Sequence, residues 1–249
     1  RNRKERIGRM VEVQAAATKD IDEARAGDIC AFVSMKETET GDSLSDLDHP
    51  ALLKVQLRAM LRAGAGHDLR ILFPMVATLA EWRRARALVV QARAELQAEG
   101  LPYADACAVG PMIEVPSAVF LAPVLAREAD FFSIGTNDLA QFVMAADRGN
   151  VRVADRADAR QPAVLRAVRQ AVEAAHAAGI PVSLCGELAA DPAATAVLVG
   201  LGLDALSMNA VAVPRVKAAV RELVERLRSR GGEWSRLPVE PVVADRAGG

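Results

Sequence analysis

The sequence predicts an α/β protein: about five βα units on a parallel sheet, preceded by a short all-β segment. Three observations carry this prediction. The hydrophobic rhythm changes at Asp48-His49-Pro50, strands and helices alternate from there to about residue 230, and polar residues recur where the strands end.

Before the change, Met10-Val11-Glu12-Val13 and Ile29-Cys30-Ala31-Phe32-Val33 are short β-type runs. Arg25-Ala26-Gly27-Asp28 and Thr40-Gly41-Asp42 supply turn signals around them. After it, Leu52, Leu53, Val55, Leu57, Met60 and Leu61 recur at helical spacing, and a strand follows over Leu69 to Met75. A long helix is expected from about Leu79 to Glu99, then a strand from Ala106 to Ile113 and a helix from Ser117 to Arg127. Phe131, Phe132 and Ile134 form an apolar run too short for a helix and stopped by Gly135, with a helix expected from near Leu139. Further helices are expected near Ala163 to Ala178, Pro192 to Val199 and Pro214 to Arg230, with strands at Ile180 to Leu184 and Ala205 to Met208. Such βα units either close into a barrel or wind doubly into an open sheet, and five strands fall short of the eight of a complete (β/α)8 barrel. The two prolines and four glycines of Gly231 to Gly249 predict a disordered tail.

Composition narrows the function classes. A net charge of -1 and 4% aromatic residues give neither a basic stripe nor a stacking platform, so nucleic acid is an unfavoured partner. Arg83, Arg84 and Arg86, and Arg221, Arg226, Arg228 and Arg230, read as solvated helix faces. Cys30, Cys107 and Cys185 are widely spaced and lack a CxxC pairing, which disfavours a disulfide framework and a structural zinc site. With no apolar run of membrane-spanning length and no signal peptide after RNRKER, a soluble cytoplasmic protein is expected. An opening without Met is expected of a fragment or a processed piece. His49, His67 and His176 show no metal spacing and read as surface or linker residues, and no GxxxxGK[ST] loop supports direct nucleotide use.

The strand ends carry the chemistry. Arg70 lies in RILFPM, Glu114 closes PMIE, Asn137 and Asp138 follow FFSIGT, and Cys185-Gly186-Glu187 follow VSL. In parallel α/β folds the carboxyl edge of the sheet holds the active site, so converging strands would bring these residues together. Glu114 and Asp138 can supply two oxygens to Mg2+, which usually keeps waters and completes its shell with substrate oxygens. Arg70 and Arg148 suit the anionic groups of such a substrate, and a thiol at Cys185 can donate a proton. Each residue also has a plainer use. Asn137 and Asp138 suit a helix cap, Glu114 a partner for the helix start before Pro116, Arg70 a surface pair for Asp68, and Cys185 a small buried filler.

At GPMIEVPSAV, FFSIGTNDLAQFVMAADRGN and VSLCGEL the chain closely resembles the phosphoenolpyruvate-binding domain of the phosphoenolpyruvate-protein phosphotransferase family, Enzyme I of the sugar phosphotransferase system. The resemblance covers about residues 50 to 225, including QLRAMLRAG, LRILFPMV and LGLDALSMNAVAVPR. It implies a (β/α)8 barrel, here partial, in which Glu114 and Asp138 hold Mg2+. Asn137, Arg70 and Arg148 would bind the phosphate and carboxylate of phosphoenolpyruvate, and Cys185 would protonate the enolate of pyruvate. It also implies a phosphoacceptor histidine on another domain or chain, a phosphocarrier protein as partner, and compatibility with a homodimer. The family's phosphohistidine domain and its first three barrel strands have no counterpart in this sequence.

Residues 1 to 48 instead resemble part of domain II of elongation factor G, through RKERIGRMVEVQAAATKDIDEARAGDICAFVSMKETETGDSLSD. The expected organisation is therefore a β segment over 1–48, a partial barrel over 49–230 and a tail over 231–249, joined as a chimera near Asp48 to Ala51. Two alternatives to catalysis follow: a non-catalytic chimeric fragment, and a translation-factor-like interaction module.

Overall fold

The computed structural model describes residues 9–14, 17–21, 30–33 and 51–229. The expected join at Asp48-His49-Pro50 and the expected tail over 231–249 lie outside the described residues. The chain divides into two compact units, Arg1–Leu69 with Arg86–Cys107, and Arg70–Ala85 with Ala108–Gly249.

The first unit holds an antiparallel sheet of β1 (Arg9–Gln14), β2 (Ala17–Ile21) and β3 (Cys30–Val33), ordered β2-β1-β3. β2 is a strand that the sequence does not announce, because ATKDI is mostly polar. Pairing with β1 satisfies its backbone where side-chain pattern does not. The same unit holds α1 (Ala51–Ala63) and the larger part of α2 (Leu79–Ala98). Leu57 and Leu61 of α1, four residues apart, are buried, as are Val89, Ala92 and Leu96 of α2. Lys54 and Arg58 reach Glu95 at 2.7 and 3.1 Å, and Arg58 reaches Glu99 at 2.6 Å. Such part-exposed pairs orient the helices while the apolar stripe supplies the stability.

The second unit holds the parallel sheet. Its strands are β4 (Leu69–Phe73), β5 (Cys107–Ile113), β6 (Phe132–Gly135), β7 (Val182–Cys185) and β8 (Ala205–Leu206). They form one parallel sheet in the order β4-β5-β6-β7-β8. Strand order thus equals chain order. A doubly wound sheet reverses at a switch point, whereas a barrel advances in one sense. The structure takes the barrel-type progression as an open five-stranded arc, not a closed barrel.

The helices of this unit are α3 (Pro116–Leu125), α4 (Thr136–Val143), α5 (Pro162–Ala177), α6 (Thr195–Gly200) and α7 (Val213–Ser229). Alternation along β6 and β7 sends Phe132, Ile134, Val182 and Leu184 to one face, where all are buried. α5 packs against both strands and also against α3. Pro123 lies inside α3, so the Val119 carbonyl four residues earlier loses its helical donor. Gln170 of α5 donates its side-chain amide to that carbonyl at 3.5 Å, the long end of the hydrogen-bond range. Among the described residues no helix is long and apolar enough to cross a membrane.

Two boundaries differ from expectation in ways that bear on the site. α4 begins at Thr136 rather than near Leu139, with Gly135 as its N-cap and no side-chain capping bond. The predicted helix over Pro192 to Val199 is regular only from Thr195, after a turn.

Candidate active site

The carboxyl ends of β5, β6 and β7 lie side by side, with Ile113 paired to Ile134 and Gly135 to Cys185. Glu114 directly follows β5, Asn137 and Asp138 occupy the first turn of α4, and Cys185 ends β7. Parallel pairing in this register is what gathers residues 71 positions apart in sequence, from Glu114 to Cys185.

Glu114 is the buried member, at 3% exposure. Its Oε1 accepts the Met75 backbone N–H at 2.6 Å. Burial pushes its carboxyl above the ordinary carboxylate range, the Met75 bond works against that rise, and the adjoining Asp138 carboxylate adds to it. Arg148 opposes the rise again, and it pairs through Nη2 with Asp138 Oδ1 at 3.1 Å. Met75 holds its N–H in place from a left-handed backbone, φ 54°.

Two glycines make room for this arrangement. A Cβ on Gly135 would stand 2.7 Å from Glu114 Oε2 and 2.9 Å from Met112 Sδ. Gly186 has φ 104°, and a Cβ there would run into Thr136 Oγ1 and stand 3.0 Å from Asn137 Oδ1. The freed space lets Asn137 Oδ1 accept the Glu187 N–H at 3.2 Å and lets Thr136 Oγ1 donate to the Cys185 carbonyl at 2.9 Å. The glycines in Gly-Thr-Asn-Asp and Cys-Gly-Glu are thus needed for close approach.

Cys185 is a free thiol of intermediate exposure. Burial raises it above the ordinary thiol range, and the nearby Glu114 and Asp138 charges push the same way, while Ser133 pulls it down. A thiol in that state keeps its proton, as a proton donor must.

Five of the six expected site residues, Glu114, Asn137, Asp138, Arg148 and Cys185, gather at this edge. Arg70 does not. It is the second residue of β4, and its guanidinium lies 5.8 Å over the ring of Phe131, the residue before β6. That is the amino end of the sheet, and the cation–π contact gives Arg70 a packing role there. The capping uses of Asn137, Asp138 and Glu114 are corrected too. Asn137 and Asp138 do not cap α4, because Gly135 does and their side chains are engaged with Glu187 and Arg148. Glu114 does not cap α3, whose N-cap is Val115. Sequence reasoning missed Met75, Ser133 and Thr136. Only the Phe-Pro-Met turn after β4 signals the first, and polar residues inside an apolar strand end signal the others.

Among the described residues no group of three or more His, Cys, Asp and Glu is disposed to hold a metal ion. Two adjoining carboxylates, one of them desolvated, are nonetheless the donor set that suits Mg2+, which takes one or two protein carboxylates and completes its shell with water and substrate oxygens.

An open barrel-type parallel sheet with carboxylates, an arginine, an amide and a thiol gathered at its carboxyl edge defines the class: an α/β protein of barrel-type topology with a polar strand-end cluster. The chain belongs to the PEP-utilising enzyme, PEP-binding domain family, whose model matches residues 44–224. It is 48% identical over 179 residues to the phosphoenolpyruvate-protein phosphotransferase of Staphylococcus carnosus, covering 72% of this chain and 31% of that protein. Against the phosphoenolpyruvate-protein phosphotransferase of Haloferax volcanii it is 52% identical over 174 residues, 69% of this chain and 31% of that one. The chain therefore spans just under a third of these relatives. Among solved structures, a citrate lyase from Burkholderia xenovorans shares the fold, with a TM-score of 0.51 at 20% identity over 74% of this chain and 61% of that one.

Proposed function

We propose that the carboxyl edge of the sheet is a Mg2+-dependent phosphoenolpyruvate site that serves transfer of the phosphoryl group to a histidine on another domain or chain, as in a sugar phosphotransferase system. The observation that carries this reading is the gathering of Glu114, Asp138, Arg148 and Cys185 within a chain of the phosphoenolpyruvate-binding family.

Glu114 and Asp138 would hold Mg2+, which when bound draws charge from the phosphate oxygens as the phosphoryl group leaves. Arg148 is placed to exchange part of its pairing with Asp138 for the phosphate or carboxylate of the substrate, a bidentate partner for a guanidinium. Asn137, held by the Glu187 N–H, offers its amide nitrogen to the same anion. Loss of the phosphoryl group leaves the enolate of pyruvate. The Cys185 proton then passes from sulfur to the methylene carbon, and the sulfur keeps the electron pair of the broken S–H bond.

The partners in this reading are a phosphohistidine domain and a phosphocarrier protein, in the cytoplasm, with a homodimer as a compatible assembly. Residues 1–48 are read as a piece of an elongation-factor-like β domain joined to the barrel portion, with 231–249 as a tail. The test is calorimetric titration of the chain with phosphoenolpyruvate in Mg2+. Saturable binding that disappears with a chelator is expected, and no binding at millimolar ligand sinks the proposal.

A further inference from the structure

The inner face of the sheet carries a second polar feature beside the thiol. In the register of β6 against β7, Ser133 pairs with Ser183 and Gly135 with Cys185, so these four residues share one face while Phe132, Ile134, Val182 and Leu184 take the other. Ser133 is buried, at 6% exposure. Its hydroxyl donates to Cys185 Sγ at 3.8 Å, and the thiol donates in turn to the Ile134 carbonyl at 3.4 Å. The sulfur is thereby held from both sides, as acceptor and as donor. Ser183, the other hydroxyl on this face, is turned instead to the Phe132 carbonyl at 3.4 Å.

We propose that Ser133 is a positioning residue for Cys185: its hydroxyl fixes the thiol on the inner face of the sheet and bonds the thiolate left when the proton has gone to carbon. The inference rests on the reading of Cys185 as the acid. When the S–H bond breaks and the C–H bond forms, sulfur gains a full charge in a partly buried setting beside two carboxylates. The Ile134 carbonyl can no longer accept from it, since its proton is gone. Ser133 is the side chain on the sulfur that can strengthen its bond at that moment, beside the residue's own backbone N–H, because a hydroxyl donates better to an anion than to a neutral thiol. The downward pull of Ser133 on the thiol's proton affinity, against burial, agrees with this role.

Two measurements on the full chain test it. The first follows iodoacetamide alkylation of the Cys185 peptide by mass spectrometry against pH, in wild type, Ser133→Ala, Ser133→Thr and Ser183→Ala. Ser133→Ala should slow alkylation near neutral pH by roughly tenfold and move the profile to higher pH, the low end for a hydrogen bond to a charged group. Ser133→Thr, which keeps the hydroxyl, should restore the profile, and Ser183→Ala should match wild type. The second follows deuterium entry from solvent into the pyruvate methyl group with Mg2+, which should fall in Ser133→Ala by a comparable factor while phosphoenolpyruvate affinity stays within about twofold. An alkylation profile in Ser133→Ala that superimposes on wild type overturns the proposal, whatever the exchange does. Exchange that is unaffected by Cys185→Ala removes the reading of Cys185 as the acid, and the role of Ser133 in the reaction with it. If Ser133→Ala does not fold, the Thr variant decides: a profile that superimposes on wild type supports the role of the hydroxyl, and one slowed by roughly tenfold near neutral pH counts against it.

Discussion

The two ends of the parallel sheet use the same residue type in opposite ways. At the amino end, Asp130 accepts the Val109 N–H at 2.7 Å while its own N–H goes to the Val109 carbonyl at 3.0 Å. Asp204 repeats the device one strand pair further on, accepting the Val182 N–H at 2.8 Å and donating its N–H to the Val182 carbonyl at 3.0 Å. Each aspartate closes a strand start with two complementary bonds, and His176 adds to Asp204 at 3.3 Å. At the carboxyl end, Glu114 and Asp138 crowd each other, and a single arginine answers both. Carboxylates in satisfied pairs with backbone stabilise the fold. Carboxylates crowded together lose stability on ionising and regain it when a cation or cationic side chain arrives. The sheet therefore keeps its backbone-paired acids at one end and its crowded acids at the other.

Breaking the carboxyl end should affect binding most. Asp138→Asn is expected to weaken Mg2+-dependent phosphoenolpyruvate binding by about 100-fold or more, close to 3 kcal/mol, with little change in melting because its ion pair is part-exposed. Calorimetry and a thermal melt on the same sample separate the two effects. Gly135→Ala should disturb both at once, since its Cβ has no space beside Glu114 Oε2. A loss of about 1–3 kcal/mol in denaturant unfolding and a large loss of binding are expected.

Breaking the amino end should do the reverse. Asp130→Ala leaves the Val109 N–H without its partner and is expected to cost about 1–3 kcal/mol of stability, with phosphoenolpyruvate affinity unchanged. A matching loss of affinity would show that the two ends are not separate in function.

Protonation sharpens the contrast further. Because the Glu114 carboxyl is raised in the folded protein, its favourable contribution is complete below the ordinary glutamate range and is lost as pH rises through the folded value. Glu114→Gln keeps an oxygen for the Met75 N–H and cannot ionise. It should melt above wild type at neutral pH, with the difference closing as the pH is lowered into the carboxylate range. Melting curves that run parallel across that range would contradict the assignment. The smallest effect is expected of Arg70→Ala, about 0.5–1 kcal/mol of stability from the lost stacking on Phe131, and full retention of phosphoenolpyruvate binding.

Much of the second unit was legible in the sequence. Phe131 to Gly135 reads as a strand because its apolar run is short and ends in glycine, and α5 reads as a helix because Val164, Val168, Ala171, Val172 and Ala175 recur on one face. β2 was not legible, since a polar strand is defined by its partner, and neither was the early start of α4, since a glycine cap leaves no side-chain signal. The site divides along the same line. Glu114, Asn137, Asp138 and Cys185 follow strand ends, so a correct strand reading places them. Arg70 follows a strand start, and no pattern within LRILFPM tells which end of the sheet its long side chain will reach.

The sequence by itself determined the order of the βα elements from α1 onward, the family and five of the polar residues at the carboxyl edge, because hydrophobic periodicity, local turn chemistry and motifs are written residue by residue. The partial barrel expected from the resemblance is borne out by the strand order, and only the tertiary structure decided that Arg70 stacks on Phe131 and that Ser133 meets Cys185. Those outcomes depend on register between strands far apart in the chain. A register shift of one residue would turn Ser133 and Cys185 to opposite faces of the sheet, and no local pattern records that choice.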